Sequence, residues 1–274
     1  MLLAVYAHTF GAGLEGAAFP TFLISGCIGF GVGDVALFQA LPRLGSRLSV
    51  MLVLCLSSPI AVVIEWVWLG TTLSVVEMIC GLAILGGVVL ALSSGRHFHI
   101  PSRQLLIGIL FGLLAALCQG YGAVLSRKAF SVAQAASDRI DGISAAYQRI
   151  LGGVVVTAAC LLIVNRRSIL ALMRNGRSPG GAASEERSRR WSEAWPWVLA
   201  NGLAGPALGV SCYQWALQTT KTGVVLPIVA ITPLVIIPFS HYLEGERPTA
   251  RSLAGGLVAV VGAVALAWSG SHSQ

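Results

Sequence analysis

Apolar residues run through this chain in long blocks rather than in the alternation of a half-buried strand or the narrow stripe of a surface helix. The windows 48–64, 78–95, 104–126, 150–165, 194–220 and 252–274 contain no Asp, Glu, Lys or Arg. Each approaches or exceeds the roughly 17 to 25 residues that carry a helix across a bilayer core. Bounding the runs by charge, Gly or Pro predicts eight full spans, at 21–41, 48–69, 75–94, 105–126, 143–164, 196–217, 223–243 and 251–269, with an apolar stub at 1–14. Short turns join most of them. Backbone amides in lipid must be satisfied within each segment, so the expected fold class is an all-α polytopic membrane protein, a helical bundle of eight full transmembrane helices plus an N-terminal partial one. A transmembrane barrel would show ten-residue alternation instead. The exception to the short turns is 165–195, rich in Arg, Gly and Ser, which reads as a solvent-exposed loop.

Composition sharpens this picture. The chain is 55% hydrophobic and 11% charged, against about 25% charge in soluble domains, so neither a soluble domain nor a disordered chain fits. The formal charge of +7 comes mostly from arginines in the polar intervals between spans, which is topological information rather than a binding face, and no nucleic-acid partner is expected. Cys27, Cys55, Cys80, Cys118, Cys160 and Cys212 sit singly in apolar segments, without a CxxC pair or a neighbouring histidine. They read as small buried thiols, so neither a metal site nor a cofactor is expected. The opening MLLAVYAHTF has no basic region ahead of its apolar residues, unlike a secretory signal. GxxxG spacings at Gly29 to Gly33, Gly108 to Gly112 and Gly205 to Gly209 predict close helix packing, and no GxxxxGK[ST] phosphate loop occurs.

An internal repeat is the most specific signal. Setting Pro59 against Pro233 pairs Arg47 with Lys221, Val50 with Val224, Leu52 with Leu226 and Leu69 with Leu243. One extra residue in the following turn then pairs Gly81 with Gly256 and Gly87 with Gly262. The second copy comes five spans after the first, an odd shift, so the two must cross the membrane in opposite directions as an inverted repeat. The remainder of a first repeat is expected at 1–95 and a second at 96–274. The prolines are either hinges or static kinks.

These residues resemble the EamA-type drug/metabolite transporter family. The resemblance rests on SSPIAVVIEWVWLG followed by GLAILGG, and on ITPLVIIPFSHYLEGERPT followed by GGLVAVVG: a proline, an apolar run, a short turn, and two glycines six residues apart. Glu246 matches the family's turn glutamate, which Gly70, Thr71 and Thr72 replace in the first copy, and Arg149 in AAYQRILGG matches an arginine that often opens the second helix of a repeat. The family's ten-helix plan implies that this chain lacks one or two helices at its N-terminus. The resemblance further implies a non-enzymatic carrier in the inner cell membrane. It would move, and more commonly export, a small organic solute such as an amino acid or a drug by alternating access, with lipid as its other partner. A homodimer is compatible with that plan. An intramembrane enzyme or a non-transporting scaffold are the alternatives, and no GxSxG or HExxH supports the first.

Charge inside a span costs about 2.5 to 3.5 kcal/mol on insertion scales, which makes such residues functional candidates. Asp34, in FGVGDVALF, is a proton-coupling carboxylate, a partner for a cationic group, or a helix–helix hydrogen-bonding residue. Arg149 either holds a carboxylate or phosphate or snorkels to the interface. Glu65, between Ile64 and Trp66, reads as a solvated carboxylate beside an interfacial aromatic anchor. Helical spacing groups Gln119 with Gly122 and Ser126, Ser144 with Tyr147 and Gln148, and Ser211 with Gln214 and Gln218, while Asn201 and Tyr213 lie near the third group. Any of these stripes could line a pathway or tie helices together. His241 is a further proton-site candidate. The basic residues favour a C-terminus outside, whereas the family plan places both termini inside.

Overall fold

The computed structural model describes residues 2–11, 13–92, 102–175, 194–232, 234 and 250–271, and among these there is no strand. The order is α1 (Leu2–Thr9), α2 (Phe19–Leu44), α3 (Ser46–Leu69), α4 (Val75–Leu92), α5 (Ser102–Ala135), α6 (Gly142–Asn175), α7 (194–219), α8 (Thr222–Val229) and α9 (Ala250–Ser271). Among the described residues four helical stretches are long and apolar enough to cross a membrane, Phe19–Leu44, Leu48–Leu69, Ser102–Ala135 and Gly142–Val164, and the apolar stretches Val75–Ala91 and Leu253–Leu266 are shorter. The second half of the span expected at 223–243 lies outside the described residues except for position 234, and Pro233, His241 and Glu246 lie outside them too.

One expectation needs correcting. The backbone remains helical through Asn175, the eleventh residue of the segment read as a loop from 165, and is helical again from 194. The apolar window of α6 ends at Val164, and Arg166 and Arg167 follow it within the same helix. A helix satisfies its own amides in water as it does in lipid, so loss of hydropathy marks the membrane boundary rather than the helix end.

Two helices change pitch where the sequence demands it. Cys27–Val32 of α2 and Leu203–Gly209 of α7 are π-helical turns. The first lies in a run containing Gly29 and Gly31; the second contains Pro206, whose ring nitrogen cannot donate to the helical ladder.

Helix directions follow from the contacts. Ser25 of α2 meets Ser126 of α5, Gly29 meets Gly122 and Gly33 meets Cys118, so α2 and α5 are antiparallel. Gly26 against Arg149, Phe30 against Gly153 and Gly31 against Val156 make α2 and α6 parallel. Glu65 of α3 meets Thr222 at the start of α8, while Met51 and Cys55 pack in one cluster with Ile231 and Leu234 beyond its end, so these two helices run in opposite directions.

The α4–α9 pair has an exchange symmetry. A Cβ at Gly87 would come 2.6 Å from the Gly255 carbonyl oxygen and 2.7 Å from the Ala259 nitrogen. A Cβ at Gly262 would come 3.2 Å from the Cys80 carbonyl oxygen and 3.3 Å from the Ile84 nitrogen. Every residue in the second contact is the counterpart of one in the first under the spacing that pairs Gly87 with Gly262. Two antiparallel helices whose contacts exchange in this way are related by a local two-fold axis.

Candidate functional site: a cavity and a buried polar layer

The π-turn of α2 and the helix that follows it place Phe30 and Asp34 on one wall of a cavity of about 1070 Å³. Leu54 and Ser57 of α3 and Gln119 of α5 continue the wall, and Gly153 and Thr157 of α6 form another. The second π-turn brings Gly205, Pro206 and Gly209, followed by Tyr213. Val225, Leu226 and Ile228 of α8 complete the lining, so α3 and α8 both border the hollow. Most of these side chains are apolar. Gln119 donates to the Asp34 carboxylate at 3.3 Å, so the acid carries a hydrogen bond where it faces the cavity.

Beneath this cavity lies a layer of side chains with no solvent exposure. Arg149 is fully buried, its guanidinium 4.4 Å from the Phe30 ring and 5.5 Å from the Tyr213 ring, so two cavity-lining aromatics flank it. Desolvated cation–π contacts contribute about 2 kcal/mol each, part of what keeps such a charge in place. Arg149 Nη1 donates to Gln214 Oε1 at 3.2 Å, and Gln214 Nε2 donates to Ser126 Oγ at 3.4 Å. Ser25 Oγ gives its single proton to the Gly122 carbonyl at 2.6 Å, so at the 2.8 Å contact between the two serines Ser126 must be the donor. The result is a directed chain from Arg149 through Gln214, Ser126 and Ser25 to the α5 backbone. Gln148 adds a bond from Nε2 to the Gly13 carbonyl at 2.9 Å. Arg149 Nε and Nη2 find no hydrogen-bond partner among the described residues. Glycines make the room: a Cβ at Gly29 would stand 2.8 Å from Arg149 Nη2, and one at Gly122 would stand 3.2 Å from it.

Beyond the layer a second cavity of about 1080 Å³ is polar, bordered by Arg127, Gln134, Asp138, Arg139, Asp141 and Gln218 among others. One of these bordering residues, Arg127, belongs to an ion pair. Glu65, 2% exposed, accepts from Arg127 and from the Thr222 hydroxyl, and from the Thr222 amide at 3.0 Å. Lys221 bonds both oxygens of Glu77, at 3.3 and 3.1 Å, and Glu77 also caps the Ser74 amide. A solvated role for Glu65 is therefore overturned: the carboxylate turns inward to a cation and a helix start, whereas Trp66 and Trp68 are exposed. Snorkelling is likewise overturned for Arg149, which is held in the interior.

The other expected residues divide. Asp34, Gln119 and Tyr213 line the first cavity; Gln148, Arg149 and Gln214 form the layer. Tyr147 is half-buried and contacts His8 at 3.3 Å, away from both hollows. Asn201 is exposed and borders neither cavity. Gly81, Gly87 and Gly262 are buried at the α4 and α9 packing surfaces, whereas a Cβ at Gly256 would meet nothing. Pro59 lies exposed within a continuous α3. Among the GxxxG glycines, Gly29, Gly33, Gly108 and Gly112 pack against neighbouring helices, but Gly205 faces open space at the cavity. Ser25 and Phe30 escaped the sequence reading because a serine and a phenylalanine in an apolar glycine-rich run look like packing residues. The six cysteines are free thiols, and among the described residues no three His, Cys, Asp or Glu side chains converge to hold a metal ion.

No curated protein sequence matches the chain. One solved crystal structure, described simply as that of a protein, superimposes with a TM-score of 0.66 at 18% identity, covering 96% of this chain and 81% of its own, a likeness that speaks for the fold alone. The model of the EamA-like transporter family matches residues 106–268, from early in α5 to late in α9. With that match spanning more than half its length, this multi-pass membrane protein belongs to the EamA-like transporter family.

Proposed function

We propose that the chain carries a small amphipathic organic solute, of the kind exemplified by an amino acid or a drug, through the cavity beside Asp34 by alternating access, in the direction of export across an inner cell membrane. The observation that carries this reading is the cavity itself. At about 1070 Å³ it is slightly larger than the roughly 300 to 1,000 Å³ typical of small-molecule sites. Its walls are apolar apart from a few polar groups, chiefly the Asp34–Gln119 pair, the Ser57 and Thr157 hydroxyls and the Tyr213 phenol. Such a lining favours solutes with an apolar body and one or two polar groups.

The two repeats, 1–95 and 96–274, would be the bodies that rock. The antiparallel α3 and α8 on the cavity wall, and the exchange-symmetric α4–α9 contact, support this division. Asp34 serves either as the site of a coupled proton or as the counter-ion of a cationic group on the solute, and the two roles separate experimentally. In proteoliposomes holding the full chain, flux of labelled solutes is followed with and without a pH gradient. Asp34→Asn removes pH-driven flux but spares exchange of neutral solutes if the proton role holds, and selectively removes cationic solutes if the counter-ion role holds. Flux of every solute unchanged in the variant would remove Asp34 from the mechanism.

A further inference from the structure

The two cavities stand in series along the same helices. α5 passes from Gln119 at the first cavity to Arg127 at the second, α6 from Gly153 to Gly142, and α7 from Tyr213 to Gln218. Between these points each helix contributes to the fully buried layer, with Ser126, Gln148, Arg149 and Gln214 all at 0% exposure. Most of the layer belongs to a glycine-fitted group. A Cβ at Gly26 would collide with the Arg149 carbonyl, one at Gly152 with that of Leu23, and Gly29 and Gly122 touch each other, so α2, α5 and α6 are held backbone to backbone. Gln214 is the layer's member from α7; that helix meets α6 at Gly142 beside Ser211 and Trp215, while Gln214 itself reaches the layer through side-chain atoms, bonding Arg149 and Ser126.

We propose that Gln214 is the latch of a barrier between the cavities and Arg149 its fixed keeper: the path joins when the Gln214 amide leaves Arg149 and Ser126. The keeper cannot follow the latch, because its guanidinium is wedged between Phe30 and Tyr213 and against Gly29 and Gly122. Release costs a hydrogen bond to a charged donor, so the barrier rests closed. This inference builds on the carrier reading, but its test needs no solute.

Cys212 borders the first cavity and is exposed there, two residues from the latch, which makes it a native reporter. The full chain bearing Cys27→Ala, Cys55→Ala, Cys80→Ala, Cys118→Ala and Cys160→Ala is placed in oriented proteoliposomes. A membrane-impermeant maleimide is then added from one side at a time. The closed barrier gives a fast side and a slow side. Gln214→Ala should raise the slow-side rate about ten-fold, the loss of one hydrogen bond to a charged group, and leave the fast side unchanged. Gln214→Glu, which puts a carboxylate on the same guanidinium, should lower the slow-side rate by a similar factor. Opposite shifts from two substitutions at one position cannot come from misfolding. Equal labelling from both sides before substitution, no slow-side change in either variant, or shifts in the same direction would each overturn the latch. Labelling as expected with no solute carried would instead overturn the carrier reading and leave the barrier standing.

Discussion

The glycines of α2, α5 and α6 and those of the α7 π-turn occupy similar sequence surroundings and do opposite things. In the first group the space of the missing side chains is taken by neighbouring helices: Gly26 and Gly152 face carbonyls of the partner helix, Gly29 and Gly122 face each other, and Gly31 and Gly112 face side chains of α6 and α3. In the second, a Cβ at Gly202 or Gly205 would meet nothing within 4 Å, and one at Gly209 would meet only Ala204 of its own helix, at 3.3 Å. Close approach to the rest comes at the other end of α7, where Gly142 abuts Ser211 and Trp215. Small residues build a rigid body where two helices meet, and they leave a helix pliable where they border a hollow. Spacing alone does not separate the two uses.

Substitutions test that contrast directly. The largest effect is expected from Gly152→Ala or Gly26→Ala, whose methyl groups must push α2 from α6. A loss of about 3 kcal/mol, the upper end of ordinary overpacking, should appear as a large fall in melting temperature in detergent. An unchanged melting temperature would dissolve the rigid body. Next comes Glu65→Ala, which strands Arg127 and the Thr222 amide. Arg127 is a quarter exposed and can recruit water, so about 2 kcal/mol is expected by the same measurement. Arg149→Met should separate stability from transport. Replacing a buried charge with an apolar chain of similar length is often neutral or better for folding, so the melting temperature should hold while flux falls. A parallel collapse of both would make Arg149 a structural residue. The smallest effect belongs to Gly205→Ala, where a methyl group in open space gains about 0.5 to 1 kcal/mol of helix propensity. A modest rise in melting temperature, with altered flux, would mark that turn as the pliable region.

Much of the architecture was legible because the bilayer writes itself into sequence. Long apolar runs located α2, α3, α4 and α9 within a few residues, and the spacing that pairs Gly87 with Gly262 also relates the residues each of them meets across the α4–α9 contact. Intramembrane charge led to Asp34 and Arg149 for the same reason: the bilayer makes such residues expensive. Partners were not legible. Nothing in the sequence joins Ser25 to Ser126 across 101 positions, or turns Glu65 inward to Arg127 instead of outward beside its tryptophans. Asn201 and Tyr147 looked as good as Gln214 by helical spacing, and it is the packing of α1, α6 and α7 that assigns them elsewhere. Hydropathy also failed at the end of α6, where the polar residues continue a helix that has already left the apolar layer.

The exchange-symmetric meeting of α4 and α9 carries a mechanical corollary. Where each helix presents to the other the counterpart of what it receives, a tilt about the shared axis strains both sides by equal amounts. On the carrier reading proposed above, the junction would serve as a fulcrum, staying seated while the parts on either side trade places.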